Sequence, residues 1–396
     1  MVDSKNQIHQ LCSRITGASF AIRYWDGEEV NYGPGPIEFT VILKSRRAIN
    51  QLFGNLKLRL AEAYTDGEIE VEGDLQQFVR LGFLAEAPTP VIRIVPQVLL
   101  AAISLWRRNS LRRARLNATH HYDLGNTFFK LWLDQRMVYS CAYFRQPDDD
   151  IDRAQAQKLD YLCAKLQLSP GDRLLDVGCG WGAFAIHAAR SRGVQAVGIT
   201  LSEEQVSEGR TRIAKFGLGQ RVELRLQDYR EMPEVEAFDK IASVGMFEHV
   251  GRRHILDYFR TTARLLKPGG RGVLHTIGRM RPAPLHPWIR KHIFPGAYVP
   301  SLGELVNGMA ACKLNVIDLE NLRLHYGYTL DRWAAAFERH VKEIQKMFDD
   351  RFVRMWRLYL HSSAAAFRHG PLNLWQIVFS KGLVNDLPLT REYMYS

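Results

Sequence analysis

The chain has 396 residues, of which 46% are hydrophobic and 24% are charged, a composition that argues against extended disorder and allows two or more hydrophobic cores. Its formal net charge of +11 makes the surface attractive to polyanions, meaning nucleic acids or anionic membranes, and composition does not choose between them. Five cysteines without CxxC spacing argue against a disulfide framework or a zinc knuckle and favour a reducing cytosol: Cys12, Cys141, Cys163, Cys179 and Cys312.

The amino-terminal residues are polar and carry no apolar segment of the kind found in signal peptides. No run of residues approaches the roughly 18 apolar positions that a membrane span requires. We therefore expect a cytoplasmic protein that neither spans a membrane nor is exported by a signal peptide.

The first part of the chain, residues 1–95, predicts a small α+β domain. Apolar runs bounded by glycine-containing turns predict strands over residues 19–23 and 37–43. Helical spacing predicts helices over residues 48–53 and 75–83. Because no catalytic constellation is found here, we interpret this domain as an accessory module for dimerisation or lipid contact.

Residues 96–119 predict a basic amphipathic linker helix, in which an apolar half containing Leu105 and Trp106 precedes a basic half. The basic half holds Arg107, Arg108, Arg112, Arg113 and Arg115. Such a helix can lie in the interface of a bilayer, with its arginines on lipid phosphates, and we expect peripheral association with the inner membrane face. The alternative is an interdomain helix with a solvated basic end. No zinc finger or RNP motif supports nucleic acid binding.

Residues 120–396 predict the catalytic domain. A helix capped by Asp152 precedes five short apolar runs, which alternate with helical patterns. The runs cover residues 174–177, 195–199, 222–226, 240–244 and 272–274, and the turn 267–270 precedes the last. This alternation predicts an α/β fold with a parallel, doubly wound sheet. The segment 279–396 mixes aromatic and aliphatic stripes, which we interpret as a cover for an acyl chain.

In doubly wound sheets, ligands bind outside the carboxyl ends of the strands. That edge collects a glycine loop after the first strand and polar residues after the later strands: Gly178, Gly180, Gly182, Thr200, Gln205, Asp228, Glu248 and His275. The loop lacks the lysine of a phosphate-binding P-loop, and no acidic residue ends the second strand to hold the ribose of NAD. S-adenosylmethionine, which has no phosphate, fits better, and the pattern predicts a methyltransferase. Taken alone, the glycines could equally form an ordinary strand-to-helix turn.

Ten motifs carry a closer resemblance. In order they are HYDLGN, YSCAYF, LLDVGCGWG, GITLSEEQ, LQDYR, VGMFEHVG, LLKPGG, LHTIG, IFPG with a later VPS, and LNLWQIVFSKG. Over residues 120–383 the chain resembles the cyclopropane-fatty-acyl-phospholipid synthase family, and it shares many of these motifs with the cyclopropane mycolic acid synthases. The segments AIRYWDGEEVNYGPGP and AEAYTDGEIEVEGDL are similar to the amino-terminal domain of the phospholipid-acting members.

The resemblance implies a Rossmann-like methyltransferase sheet and transfer of the S-adenosylmethionine methyl to a cis double bond of a phospholipid acyl chain, followed by loss of a proton and cyclopropane closure. It also implies that bound bicarbonate is the base. By motif, the catalytic and bicarbonate-binding residues are Cys141, Glu248, His275, Ile277 and Tyr326. Tyr328 offers a second phenol beside Tyr326, and the role of His249 stays open. Ligand spacing supports no metal site.

The same resemblance assigns the cofactor-binding residues, which are Tyr139, Ser140, Gly178, Gly180, Gly182, Thr200, Leu201, Gln205, Gln227 and Asp228. Asp176 is interpreted as an organiser of the glycine loop and not as a direct ligand.

Three alternatives stay open at this point. Relatives of this family add a methyl or methylene branch to fatty acids without closing a ring, and others are small-molecule N-methyltransferases. A third alternative is a catalytically dead lipid-binding protein. The expected partner is a phospholipid membrane with unsaturated acyl chains, with a homodimer possible and no nucleic acid.

Overall fold

The computed structural model describes residues 4–46, 56–84 and 124–395. The predicted helix at 48–53, the basic helix at 96–119 and residues 121–123 of the first motif lie outside the described residues. The chain forms two compact units. The first comprises the described parts of Met1–Arg108 with His286–Ile293 and Phe337–Gly370, and the second those of Asn109–Leu285 with Phe294–Ala336 and Pro371–Ser396.

The first unit is built on a four-stranded sheet in the order β2-β1-β3-β4. Its elements are α1 Ser4–Cys12, β1 Phe20–Arg23, β2 Glu29–Tyr32, β3 Phe39–Leu43, α2 Leu56–Thr65, β4 Ile69–Gly73 and α3 Leu75–Leu84. The predicted strands at 19–23 and 37–43 and the helix at 75–83 are confirmed as β1, β3 and α3. Phe20 and Phe39 stack with ring centroids 5.5 Å apart, and Phe78 meets Phe39 edge-on, which closes the core beneath α3.

Three later helices also belong to the first unit: α9 Pro287–His292, α12 Val341–Met347 and α13 Asp350–Arg368. From the sequence, these segments are predicted to belong to the acyl-chain cover of the catalytic domain. In the structure, Arg354 of α13 donates hydrogen bonds of 2.7 Å to the carbonyl oxygens of Tyr64 and Ile69. Helical spacing identifies an apolar face but not the sheet against which that face packs, so the sequence pattern could not assign these helices.

The second unit contains a seven-stranded sheet in the order β10-β11-β9-β8-β5-β6-β7. The strands are β5 Arg173–Val177, β6 Gln195–Thr200, β7 Val222–Leu226, β8 Phe238–Val244, β9 Leu266–Gly278, β10 Leu314–Asn321 and β11 Asn373–Lys381. Strands β5 to β9 are parallel, which confirms the predicted doubly wound sheet. Strands β10 and β11 extend it in antiparallel pairing and were not predicted.

The helices of this unit are α4 Asn126–Lys130, α5 Ile151–Leu166, α6 Ala183–Arg192, α7 Glu203–Lys215, α8 Ile255–Leu265, α10 Leu302–Ala311 and α11 Arg323–Arg339. Consecutive residues of β5 are buried on opposite faces of the sheet, as a strand covered on both sides requires. Leu174 packs in the core formed with α5, α6 and α7, whereas Leu175 packs in the core formed with α8 and α10.

Two local predictions are wrong. Asp150, and not Asp152, caps α5 by accepting a hydrogen bond from the Arg153 amide, while Asp152 accepts one from the Gln135 amide. The predicted turn at 267–270 lies inside β9, where the pairing with β8 shifts register between Phe238 and Lys240, so that β9 carries extra residues at this point. No helix of the described residues is long and apolar enough to cross a bilayer.

Candidate active site

The glycine loop follows β5 at the point where the strand order reverses. β5 lies between β6 and β8: the chain continues from β5 through β6 and β7 on one side, and β8 and β9 lie on the other. The amides of Gly178 and Cys179 donate to the Ile199 carbonyl oxygen at the end of β6, at 2.9 and 3.0 Å. Gly178 has φ +78°, and a Cβ there would lie 2.6 Å from Met246 Cβ. The loop is therefore closed against the ends of both neighbouring strands, where doubly wound sheets bind ligands.

A cleft opens above this loop, and its lining includes nine of the ten residues assigned to the cofactor. They are Tyr139, Ser140, Gly178, Gly180, Thr200, Leu201, Gln205, Gln227 and Asp228. Gly182, the tenth residue, does not line this cleft. It precedes α6 with φ +80°, and a Cβ there would lie 3.0 Å from Leu224 Cδ1, so this glycine serves the packing of α6 on the sheet. At Gly180 an added Cβ would meet no atom of the described residues within 4 Å.

The polar groups at the ends of β6 and β7 are already hydrogen-bonded. Thr200 Oγ1 donates to Gln205 Oε1 at 2.6 Å, which ties the end of β6 to the first turn of α7. Arg230 clamps Asp228 by donating from Nε to Oδ1 at 2.8 Å and from Nη2 to Oδ2 at 2.6 Å. Arg230 also lines the cleft, and the sequence analysis did not identify it. A ligand that binds Asp228 must therefore share this carboxylate with the guanidinium group.

A buried lysine lies behind Ser140. The Lys158 side chain is 1% exposed, and its Nζ donates to Ser140 Oγ at 3.0 Å. Burial lowers the pKa of Lys158 to about 8, and it raises the pKa of Asp176, which also lines the cleft, to about 7. Lys158 is not among the residues predicted from the sequence, although a lysine four residues before Leu162 lies on the apolar stripe of α5 and could have indicated it.

Glu248 is bound to the edge of β9 where β8 has ended. The last pairing of these strands is Val244 with His275, after which the Gly245 amide donates to the His275 carbonyl oxygen at 2.8 Å. The next amide along this edge, that of Ile277, donates to Glu248 Oε1 at 2.6 Å. The Glu248 carboxylate thus accepts the hydrogen bond that a carbonyl group of β8 would accept if that strand continued. Burial raises the pKa of Glu248 to about 7, against the effect of the Ile277 hydrogen bond.

His275 is held from the other side of β9. Its Nδ1 lies 3.1 Å from Gln376 Nε2 of β11, and burial lowers its pKa well below 6.5. Two buried polar atoms in this cluster have no hydrogen-bond partner among the described residues, namely Glu248 Oε2 and His275 Nε2. Buried polar atoms are normally paired, so these two are candidate contacts for a small polar ligand. The structure therefore brings together Glu248, His275 and Ile277.

Helix α11, which carries Tyr326, holds the segment that contains Cys141. The Ala142 amide donates to Thr329 Oγ1 at 2.9 Å, and the Phe144 amide donates to His325 Nδ1 at 3.0 Å. Cys141 itself is fully buried, and burial raises the pKa of its thiol, so it is a neutral thiol and not a nucleophilic thiolate.

The two tyrosines of α11 have different neighbours. Tyr326 meets the Trp333 ring edge-on at 6.1 Å, whereas Tyr328 packs on Phe144 at 5.6 Å.

The buried ammonium of Lys158 connects these parts. After burial, which raises the pKa of the Cys141 thiol and lowers that of the His275 imidazole, the Lys158 charge lowers both pKa values. His249 lines the cofactor cleft, and desolvation lowers its pKa to about 4, which keeps it neutral near pH 7. The cleft and the buried cluster meet in sequence at His249 and Glu248. His249 lines the cleft, and Glu248 belongs to the buried cluster.

Comparison with known proteins gives a consistent picture. A family model described as mycolic acid cyclopropane synthetase matches residues 109–377, and a model of a domain of unknown function matches residues 7–87. A probable fatty acid methyltransferase from Pseudomonas putida is 39% identical over 94% of this chain and 95% of its own length. The cyclopropane-fatty-acyl-phospholipid synthase of Escherichia coli strain K12 is 38% identical over 84% of this chain and 86% of its own length.

Solved structures show the same relationship. The cyclopropane synthase MmaA2 from Mycobacterium tuberculosis superimposes with a TM-score of 0.64 at 32% identity, covering 67% of this chain and 98% of that structure. The mycolic acid cyclopropane synthase CmaA1, solved with SAH and CTAB, gives the same TM-score at 33% identity over 67% of this chain and 98% of that structure. Coclaurine N-methyltransferase, at 18% identity and a TM-score of 0.62, shares the fold.

Proposed function

This chain belongs to the mycolic acid cyclopropane synthetase family of S-adenosylmethionine-dependent methyltransferases, and from that premise we propose that it forms cyclopropane rings in unsaturated phospholipid acyl chains. The observation that supports this best is the buried cluster of Glu248, His275 and Ile277 directly beside the glycine-loop cleft. A methyltransferase acting on an alkene needs such a second compartment, because a proton must be removed after methyl transfer.

The proposed reaction has two parts. The alkene attacks the sulfonium methyl, so that a carbon–carbon bond forms, the carbon–sulfur bond breaks, S-adenosylhomocysteine leaves, and the acyl chain carries a carbocation. The transferred methyl then loses a proton to the base of the buried cluster, and the electron pair of the broken carbon–hydrogen bond closes the three-membered ring. An alkene has no acidic proton to remove before the attack, so the protein contributes alignment of the double bond and exclusion of water.

Different residues serve the binding of the methyl donor and the exclusion of water. The cleft residues at the ends of β5, β6 and β7 hold the methyl donor, with the uncharged glycine loop passing close to it. The aromatic side chains of Tyr139, Trp132 and Trp333, whose ring centroids are 5.3 to 5.6 Å apart, exclude water beside Ser140 and Cys141. Electron-rich aromatic faces also stabilise nearby cations.

The residues of the buried cluster fit bicarbonate. This anion has one O–H donor and several acceptor oxygens, so a site for it must offer both an acceptor and a donor. Glu248 Oε2 can accept, and an Nε2–H on His275 can donate, and neither atom has another partner in the described chain. Ile277 donates its amide to Glu248, so it supports the carboxylate that we assign to the ligand. When bound, bicarbonate supplies a proton acceptor in a compartment closed to bulk water.

We also propose that the substrate is reached at a membrane surface. The net charge of +11 and the arginine-rich segment at 96–119 support contact with anionic lipid headgroups. Replacing Arg107, Arg108, Arg112, Arg113 and Arg115 by glutamine should weaken binding to anionic liposomes at low salt, because each basic residue near such a surface contributes about 1 kcal/mol. Unchanged binding would contradict this assignment of the contact.

The decisive experiment incubates the purified protein with S-adenosylmethionine and liposomes of a phospholipid with cis-unsaturated chains. Mass spectrometry should find acyl chains one methylene heavier that no longer contain a double bond. A heavier chain that keeps a double bond beside a new methyl or methylene branch would contradict cyclopropane formation. No product would contradict the proposed activity on phospholipids.

A second candidate is a fatty acid methyltransferase that adds a branch without ring closure. Two relatives favour it: the Pseudomonas putida protein, named a probable fatty acid methyltransferase, and a tuberculostearic acid methyltransferase from Mycobacterium tuberculosis, 37% identical over 68% of this chain. The two candidates share the methyl-transfer step and differ in where the proton leaves. The liposome assay separates them through the presence or absence of a double bond in the product.

A further inference from the structure

Gln376 lies in β11 directly opposite His275 of β9 in the antiparallel ladder. The two side chains are 0% and 1% exposed, and Gln376 Nε2 lies 3.1 Å from His275 Nδ1. The neighbours of Gln376 from Leu374 to Phe379 are apolar and buried. A glutamine amide in such a strand is costly unless it has a hydrogen-bonding task, and this one is directed at the histidine of the buried cluster.

The amide decides which nitrogen of the imidazole carries the proton. In this orientation the amide nitrogen, which can only donate, faces Nδ1, so Nδ1 is the acceptor, and Gln376 Oε1 has no hydrogen-bond partner among the described residues. Because burial lowers the pKa of His275 well below 6.5, the ring is neutral near pH 7 and has a single N–H. That hydrogen is then on Nε2, which has no hydrogen-bond partner among the described residues.

We propose that Gln376 is a positioning residue, which holds His275 in the Nε2–H tautomer so that the ring offers one donor to an oxyanion in the buried cluster. The identity of that oxyanion rests on the function proposed above, whereas the tautomer does not. The donor is presented two residues along β9 from the Ile277 amide, which holds the Glu248 carboxyl. Strand β9 therefore carries both the donor, His275, and the amide of Ile277, which holds the acceptor Glu248.

Loss of the amide has a specific consequence. With leucine at position 376, Nδ1 has no donor, and both tautomers become accessible to the ring. With glutamate, an ionised carboxylate accepts from the ring and draws the hydrogen to Nδ1, which leaves Nε2 as an acceptor that repels an oxyanion. The two substitutions should thus impair the same site by different tautomer shifts.

The tautomer is measured directly in the full-length protein labelled with ¹⁵N in its histidine rings, using long-range ¹H–¹⁵N correlation spectra at pH 7. The His275→Gln variant identifies the His275 signals. We expect the wild type to show Nε2–H, Gln376→Leu a mixture of tautomers, and Gln376→Glu a shift of the hydrogen to Nδ1. An Nδ1–H tautomer in the wild type would by itself overturn the proposal. An unchanged Nε2–H tautomer in both Gln376 variants would overturn it as well.

Kinetics provide the second readout. Turnover on unsaturated phospholipid should fall at least about tenfold in Gln376→Leu and Gln376→Glu, with unchanged affinity for S-adenosylhomocysteine. Ser380→Ala is the matched control, since Ser380 is a fully buried polar residue of the same strand that donates to the Gly382 carbonyl oxygen at 2.6 Å. Wild-type turnover in both Gln376 variants would contradict the positioning role. If the wild type itself forms no product, the proposed function fails, and the tautomer spectra still decide the role of Gln376.

Discussion

Lys158 donates a hydrogen bond to Ser140 across 3.0 Å while its own side chain is 1% exposed to solvent. An ammonium group in this position is destabilised by burial, which is why its pKa falls from 10.5 to about 8. The folded state therefore binds this proton less tightly than the unfolded state does. Between pH 8 and pH 10.5 the unfolded chain holds more protons, so the contribution of Lys158 to stability rises with pH across that window.

Lys158→Met removes this dependence. Relative to the wild type, the variant should be most stable at pH 7 and should lose that advantage between pH 8 and pH 10, by at most about 1.4 kcal/mol per pH unit. Urea unfolding of both proteins over this range measures the difference in free energy of unfolding. Lys215→Met, an exposed position in the last turn of α7, is the control and should show no such trend. A pH-independent difference for Lys158→Met would contradict the lowered pKa.

Glu248→Gln tests the carboxylate that closes the edge of β9. The amide keeps the size of the side chain and can still accept from the Ile277 amide through its oxygen, but it cannot carry the negative charge that we assign to the site. Product formation should fall by at least about 100-fold, while S-adenosylhomocysteine binding measured by calorimetry stays intact. Asp239→Asn is the control, because Asp239 also accepts a backbone hydrogen bond, from Arg173 at 2.9 Å, at the opposite edge of the sheet. Full activity of Glu248→Gln would exclude Glu248 from the reaction.

The same substitution also has a predicted effect on stability. The pKa of Glu248 is raised from 4.5 to about 7, so the folded state binds this proton more tightly than the unfolded chain does. Its contribution to stability is fully present below pH 4.5 and is lost as the pH rises through 7. The stability of Glu248→Gln relative to the wild type should therefore increase from pH 5 to pH 7, by at most about 1.4 kcal/mol per unit. Melting temperatures of both proteins, recorded in steps of half a pH unit, check this. A decrease in the relative stability of the variant would show that the pKa of Glu248 is lowered and not raised.

Gly178→Ala tests the closed glycine loop. The added Cβ would lie 2.6 Å from both Cβ and Cγ of Met246, so either the loop or the end of β8 must move. We expect affinity for S-adenosylmethionine to fall by at least about tenfold, with a destabilisation of only a few kcal/mol. Gly171→Ala is a matched control, since Gly171 has a similar φ of +88° and nothing within 4 Å of the added atom in the described chain. If both variants lose affinity equally, the cause is backbone strain and not the contact with Met246.

The parallel half of the fold could be predicted because its signals are local. Each of the strands β5 to β8 is a short segment that ends in glycine or polar residues and is followed by a helical pattern or a turn, and the order of strands and helices then places Gly178, Asp228 and Glu248 at one edge. The antiparallel strands β10 and β11 could not be predicted in this way. Their pairing with each other and with β9 joins segments far apart in the chain.

The candidate site could also be predicted only in part. Motif resemblance found His275, but it gave no reason to select Gln376, whose role depends on the register between β9 and β11. The contact between the Ala142 amide and Thr329 joins residues 187 positions apart, so no sequence spacing could have indicated that α11 holds the Cys141 segment. Asp150 replaced Asp152 as the cap of α5 because helix ends are set by the tertiary position of the first turn, and both residues are acceptable caps.

The position of β11 has a consequence for biosynthesis. This strand follows all other strands in the chain, yet it lies between β9 and β10, and neither of those can complete its ladder before residues 373–381 have left the ribosome. Until then, β9 presents an open edge and His275 has no amide beside it. The nascent chain can assemble the donor cleft early, but the buried cluster closes only with the last strand, so a growing polypeptide should bind cofactor before it is able to turn over substrate.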